Sequence, residues 1–322
     1  MSDYKRELLT GLSYNLGPAV MRAIEDPDVV EIMANPDGKL WIEKLGRPME
    51  LFGELSPEQT KSVILLMASS LNYQATVESP IVEGELPIDG SRFEGVIPPI
   101  VSQASFTIRK KASQVFSLED YVASRTMPGF LAGKIKDSII KRDNIVVVGG
   151  TGSGKTTLVN GIILAISELC PEQRLIIMED TLELQSRSEN TVFFRTSDRI
   201  NMARLLKMTM RYRPDRIIIG EVRDKAALDL LKAWNTGHPG GIATIHANSA
   251  IEGLARMEEL TEEAGLGSKN NLIARAVDLV IFIRRSPGGR KVSQAITVLG
   301  YNHKNHNYRT EVIYHETIEP EA

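Results

Sequence analysis

Residues 144–158 read NIVVVGGTGSGKTTL, and the fold is decided there. Ile145 to Val148 form a run too short for a helix and too uniformly apolar for a strand with one wet face. It reads as a buried strand of a parallel sheet. The next eight residues, Gly149, Gly150, Thr151, Gly152, Ser153, Gly154, Lys155 and Thr156, match G-x-x-x-x-G-K-[ST], and Thr157 leads into the helical stretch TTLVNGIILAISEL. Glycines let the backbone turn its N–H groups onto phosphate oxygens, and the helix N-terminus adds partial positive charge. In such a loop Lys155 reaches the β- and γ-phosphates of ATP, and the Thr156 hydroxyl ligates Mg²⁺. A dinucleotide-binding fingerprint would need G-x-G-x-x-G and leaves Gly-Lys-Thr unexplained.

RLIIME from Arg174 and DRIIIG from Asp215 repeat the buried-strand pattern between helical stretches, which is the texture of a sheet covered on both faces. Hydrolysis needs a carboxylate to orient or deprotonate water, and RPDRIIIGEVRD supplies Glu221 at a strand end. Gly220 stands where an Asp is often found, so the metal falls to Thr156 and waters, with Glu221 close enough to act on water or on Mg²⁺. Pairing of Glu221 with Arg223 alone would read the same way. A second acidic cluster, Glu179, Asp180 and Glu183 in IIMEDTLEL, also follows a buried strand, as a solvated loop would. GHPGGIATIHANS, residues 237–249, brings His246 to another strand end, where it suits a sensor of the γ-phosphate. His238 and His246 have no Cys or Glu companion at zinc-like spacing, and zinc is not expected.

The amino-terminal third has a different texture. VVEIMANPDGKLWIEKL, residues 29–45, is two β-prone runs around a turn-forming Asn-Pro-Asp-Gly, hence a hairpin. SPEQTKSVILLMASSLNYQ opens with Ser56 as N-cap, Pro57 at the first helical position and Gln59 as capping-box partner, followed by apolar Val63, Ile64, Met67 and Leu71. Short strands broken by Gly and Pro run from Ile81 to Lys111. Weak periodicity and Pro128-Gly129 mark a junction. The expected organisation is an α+β domain over residues 1–115, a linker over 116–130 and an α/β domain over 131–322. The tail beyond Arg285 reads as two strands around NHKNHN, with His303, His306 and His315 on turns and surface.

The chain has 322 residues, 42% hydrophobic and 25% charged, with a formal net charge of −3. That balance lacks the broad positive field of a nucleic-acid binder, and direct nucleic-acid binding is not expected. The run Arg195, Arg199, Arg204, Lys207, Arg211, Arg213, Arg216 and Arg223 fits a subunit interface, a ring pore or a solvated helix face. A single cysteine, Cys170, fits a reducing compartment. No apolar stretch approaches the ~20 residues that span a bilayer, and MSDYKRELLT has no export pattern. Cytoplasm is the expected location.

GGTGSGKTT, MEDTLEL, RPDRIIIGEVRD and GHPGGIATIHANS, in this order and with these gaps, resemble the Walker A, Asp box, Walker B and His box of the secretion ATPase superfamily that serves type II and type IV secretion and type IV pili. FTIRKK and MRYRPDRIIIGEVRD look most like its conjugal-transfer branch of the TrbB type. The resemblance implies an α/β fold, a small α+β domain followed by a RecA-like P-loop ATPase domain. It also implies a hexameric cytoplasmic ring that hydrolyses ATP with Mg²⁺, working with inner-membrane components of a secretion machine at the inner face of the cell membrane. Family members set arginines of the amino-terminal domain against nucleotide phosphates, and Arg92 and Arg109 match them. Glu221, Lys155, His246 and Glu179 are the remaining candidate catalytic residues. A small-molecule P-loop kinase and a pilus or type II secretion motor are the alternatives.

Overall fold

The computed structural model describes residues 3–111, 114–197, 199–265, 267–287 and 289–316. The chain packs as two units, Met1–Gln114 and Val115–Ala322. In the first, α1 (Asp3–Glu25) precedes β1 (Val29–Ala34), β2 (Lys39–Lys44), β3 (Glu50–Glu54), α2 (Pro57–Ser70), β4 (Ile81–Glu85), β5 (Arg92–Val96) and β6 (Ser105–Arg109). The six strands form one sheet in the order β3-β2-β1-β6-β5-β4. Gly38, at φ +82°, closes the β1–β2 turn by donating its N–H to Asn35 O. Ser56 Oγ accepts the Gln59 N–H and Gln59 Oε1 accepts the Ser56 N–H, so α2 starts on the capping box its sequence specifies. Leu12, Leu16 and Val20 of α1 share a buried cluster with Val63, Ile64 and Met67 of α2 and with Ile32, Phe93, Phe106 and Ile108 of the sheet.

The second unit holds α3 (Leu118–Ala123), α4 (Gly129–Lys141), β7 (Ile145–Val148), α5 (Lys155–Leu169), β8 (Leu175–Glu179), β9 (Thr191–Arg195), α6 (Met202–Thr209), β10 (Arg216–Ile219), α7 (Ala226–Asn235), β11 (Ile242–Ile245), α8 (Ala250–Glu262), α9 (Asn270–Ala276), β12 (Leu279–Ser286), β13 (Gly289–Asn302) and β14 (Asn307–His315). Its sheet runs β14-β13-β12-β7-β11-β10-β8-β9. From β12 to β9 all neighbours are parallel, and β13 and β14 add an antiparallel flank. Alternate side chains leave the strands on opposite faces. Val146, Val148, Ile217 and Ile219 face a core with α6, α7, α8 and α9, whereas Ile145, Val147, Ile218 and Ile281 face one with α3, α4 and α5.

Two features differ from the sequence reading. Within the stretch expected as a linker, Leu118 and Tyr121 of α3 and Met127 are buried in the second unit's core, because these apolar side chains find a surface against α4 and α5. The packing divides instead at Gln114/Val115. Arg216, read as part of an interface, pore or solvated helix face, is 1% exposed. Its Nε donates to Gln173 Oε1 at 2.6 Å, and its Nη atoms donate to Gly240 O at 2.9 Å and Ile139 O at 2.6 Å. Three chain segments thus meet on one guanidinium, which satisfies the charge that burial would otherwise penalise.

Gly241 shows how tightly β11 is seated. A Cβ there would lie 2.0 Å from Trp234 Nε1 and 2.6 Å from Ile217 O. Gly241→Ala is expected to lower unfolding free energy by about 1–3 kcal/mol, the usual cost of overpacking a core. Urea denaturation of the two proteins checks this; equal midpoints would show that the neighbourhood relaxes freely.

Candidate functional site

Parallel pairing carries β7, β8, β10 and β11 upward together, so Gly149, Glu179, Gly220 and His246 emerge at one edge of the sheet, where open α/β sheets bind ligands. The loop after β7 turns through Gly152 (φ +64°) and Gly154 (φ +100°) before α5 begins at Lys155. Gly149 has no room for a side chain: a Cβ would stand 2.3 Å from Ile283 O of β12 and 2.5 Å from Ser153 Oγ. Thr156 and Thr157, the first residues after Lys155 in α5, are half-buried.

Lys155 is 7% exposed. Its ammonium donates to Gly149 O and Gly150 O, both at 2.9 Å, and lies 3.2 Å from His246 Nδ1. Burial pushes it down to about 8, with the Glu221 carboxylate opposing and Arg223 adding to the fall. His246 Nε2 is 2.9 Å from Glu221 Oε1, and Arg223 Nη2 donates to Glu221 Oε2 at 2.6 Å. Arg223 also lies 3.9 Å from Asp180, whose Oδ1 accepts the Thr196 hydroxyl at 2.8 Å. Desolvation, then the Lys155 charge, hold His246 below the ordinary imidazole value against the pull of Glu221. Glu221 therefore does pair with Arg223, and with His246 as well.

Glu179 has a different setting. It is 4% exposed, and its carboxylate accepts the backbone N–H groups of Glu183 and Leu184 at 3.1–3.2 Å. This anchors the turn after β8, which Asn160 of α5 also holds through Gln185 N–H at 2.8 Å. The same carboxylate crowds Gly220: a Cβ there would sit 2.8 Å from Glu179 Cγ and 2.9 Å from its Oε1, so an Asp there would require the Glu179 side chain to move. Thr244 of β11 donates its hydroxyl to Gly220 O at 2.6 Å and its backbone carbonyl accepts the Val222 N–H at 2.9 Å, clasping Glu221 between two bonds.

Arg92 and Arg109 lie in the other unit. They face each other across β5 and β6, and with Glu31, Glu94 and Thr107 they line a cavity of about 180 Å³. Arg109 is 3.6 Å from Glu31. Among the described residues no group of three or more His, Cys, Asp or Glu side chains could hold a metal ion. His303 Nε2 is 3.0 Å from Asn271 Oδ1 and His315 Nε2 3.4 Å from Gln294 Nε2. Sequence reasoning missed Arg285 and Arg290, which reach the loop glycines from β12 and β13. Only the sheet order, which sets β12 beside β7, could have signalled them.

A family model described as type II/IV secretion system protein matches residues 17–311. The conjugal transfer protein TrbB of Rhizobium radiobacter is 52% identical over 304 residues, covering 94% of this chain and 94% of that one. Protein VirB11 of Agrobacterium fabrum is 28% identical, covering 82% of this chain and 87% of that one. The X-ray structure of the Legionella pneumophila ATPase DotB superposes with a TM-score of 0.61 at 19% identity, covering 86% of this chain and 79% of that one. The fold is α/β, a small α+β unit followed by a RecA-like P-loop unit. No helix among the described residues is long and apolar enough to cross a membrane.

The depressed Lys155 ammonium has a consequence for stability. Between pH 8 and 10.5 the unfolded chain binds this proton more tightly than the folded one, so folding is penalised below pH 8 and the penalty fades as pH rises through that window. The stability of the unmodified protein minus that of Lys155→Met is therefore expected to increase from pH 8 to pH 10. Urea titrations at both values check it, and a flat difference would remove the strain assigned to Lys155.

Proposed function

Because the chain belongs to the type II/IV secretion system protein family, we propose that it is a cytoplasmic ATPase of a type IV secretion machine for conjugal transfer. It works as a hexameric ring at the inner face of the cell membrane, docked on inner-membrane components, and its ATP hydrolysis powers pilus assembly or substrate transfer. The observation that carries this reading is the buried Lys155 held 3.2 Å from a histidine that is itself 2.9 Å from Glu221. On this reading a phosphate-binding cation and a water-orienting carboxylate share one histidine contact. A small-molecule kinase would leave the His246 bridge and the amino-terminal unit without a task.

The residues divide the work as follows. Lys155 exchanges the carbonyl oxygens of Gly149 and Gly150 for oxygens of the β- and γ-phosphates, while N–H groups of the loop and of α5 face the phosphate chain. Glu221, steadied by Arg223, accepts a proton from the water that attacks the γ-phosphorus; the P–O bond to ADP breaks and phosphate leaves. His246 registers the γ-phosphate through its link to both groups. The Thr156 hydroxyl, which makes no hydrogen bond with the described residues, and the Glu221 carboxylate are hard oxygen donors that suit a magnesium ion. Bound Mg²⁺ would neutralise charge between the β- and γ-phosphates. Arg92 and Arg109 supply planar cations from the amino-terminal unit.

Phosphate release without an added acceptor is the direct test. Glu221→Gln should keep ATP binding and lose at least ~100-fold in turnover, the range for loss of a positioned base, whereas Lys155→Ala should lose both. Near-normal turnover in Glu221→Gln would move the role to Glu179, Asp180 or Glu183. The ring is tested separately. Activity per subunit should rise with protein concentration, and Arg92→Ala and Arg109→Ala should fold yet hydrolyse poorly. Constant activity in a species that light scattering shows to be monomeric would dismiss the ring and leave the ATPase.

A further inference from the structure

The hairpin between β12 and β13 sets two arginines directly opposite each other: Arg285 pairs with Arg290, one step before Ser286 pairs with Gly289. Like charges at such positions repel. Because β12 runs parallel to β7, with Phe282 level with Val148, it continues past the end of β7 alongside the phosphate loop and takes this charge pair with it. Arg285 Nε donates to Gly152 O at 3.0 Å, and a Cβ on Gly152 would lie 2.3 Å from the Arg285 guanidinium. A Cβ on Gly154 would lie 2.7 Å from Arg290 Cδ and 3.3 Å from its Nε. Each left-handed glycine of the loop is thus overlaid by one arginine.

Arg290 differs from the other arginines of this region. Its immediate surroundings contrast with those of Arg284, on the same hairpin, which has Glu316 at 2.9 Å. They contrast also with buried Arg216, whose guanidinium reaches two carbonyls and a side-chain amide. Arg290 Nε is buried without a hydrogen-bond acceptor, and its guanidinium has no carboxylate within 4.0 Å, among the described residues. A half-buried cation left in this state costs free energy that a purely structural role would have offset with a carboxylate, as at Arg284, or with carbonyl acceptors, as at Arg216.

We propose that Arg290, oriented beside Arg285, binds the phosphate chain of the bound nucleotide as a further cationic contact from the same unit as Lys155. This rests on the nucleotide-binding reading of the loop. Arg285 fixes the outer limb of the loop through Gly152 O, and Arg290 offers the planar fork that matches phosphate oxygens. A polyanion arriving at this edge also relieves the repulsion across the hairpin.

The test uses the full-length protein, a fluorescent N-methylanthraniloyl ADP as probe and inorganic tripolyphosphate as a competitor without base or ribose. Arg290→Gln should weaken both by about 10- to 100-fold, the range of one charge-assisted contact, with a thermal midpoint no lower than that of the unmodified protein. Arg290→Lys keeps the stem against Gly154 and the charge but not the fork, and should fall between. If Arg290→Gln does not fold, Arg290→Lys decides: several-fold weaker binding of both ligands supports the contact, and unchanged binding overturns it. Unchanged binding in Arg290→Gln, or weakened ADP with tripolyphosphate unaffected, overturns it as well, the latter by assigning Arg290 to the base. Lys155→Ala, run in parallel, separates the two levels. If it binds the probe like the unmodified protein, the nucleotide reading itself fails; if it loses the probe while Arg290→Gln does not, only the present proposal does.

Discussion

The ammonium group of a lysine that is 7% exposed has to find acceptors, and much of the second unit is arranged around that requirement at Lys155. The acceptors nearest in sequence are the carbonyls of Gly149 and Gly150, and they turn toward Lys155 only if the chain doubles back within six residues. Such a turn demands the left-handed conformations of Gly152 and Gly154. It also presses Gly149 against Ile283 O, so the strand on that side has to be β12 in its observed register. One buried charge thereby constrains a loop, a neighbouring strand and the start of a helix.

The third acceptor comes from the other side. β11 lies next to β7 with Ile245 level with Val148, and the following residue is His246. β10 lies beyond β11, and its exit through Gly220 is held by the Thr244 hydroxyl, which brings Glu221 under the imidazole. Glu179, at the end of β8, takes up the space where a Gly220 side chain would go. The polar contacts therefore run without a break from Lys155 through His246, Glu221, Arg223 and Asp180 to Thr196 beyond β9. They follow the order of the parallel strands, and so the site spans most of the sheet's upper edge.

Much of this was legible in the residues because the informative signals are local. The loop motif, the Val and Ile runs of β7, β8 and β10, and the Ser56 capping box each depend on a few consecutive positions. The misreadings share the opposite property. Arg216 looked like one more surface cation, since the groups that satisfy it, Ile139 O, Gln173 Oε1 and Gly240 O, come from segments 24 to 77 residues away. Leu118, Tyr121 and Met127 sit in too short and irregular a stretch to show periodicity, yet each finds a buried place. α1 is interrupted by Gly17 at φ +72° and by Pro18, which hide its amphipathic repeat. Arg285 and Arg290 carry no motif at all, and only the sheet order relates them to Gly152 and Gly154.

The contacts at His246 also fix its protonation. A lysine ammonium donates and never accepts, so while Lys155 carries its charge the 3.2 Å contact requires a lone pair on His246 Nδ1. The ring is then neutral, in keeping with its lowered proton affinity, and its one proton sits on Nε2 and is donated to Glu221 Oε1. The carboxylate is left with Oε2 on Arg223 and one oxygen engaged by a donor whose orientation Lys155 controls. On the proposed function, a Lys155 that turns toward phosphate deprives the imidazole of the partner that set its tautomer and Glu221 of a fixed donor. The network thus ties the cation proposed to meet phosphate to the carboxylate proposed to meet water. Neither can change partners without the other's hydrogen bonding changing as well.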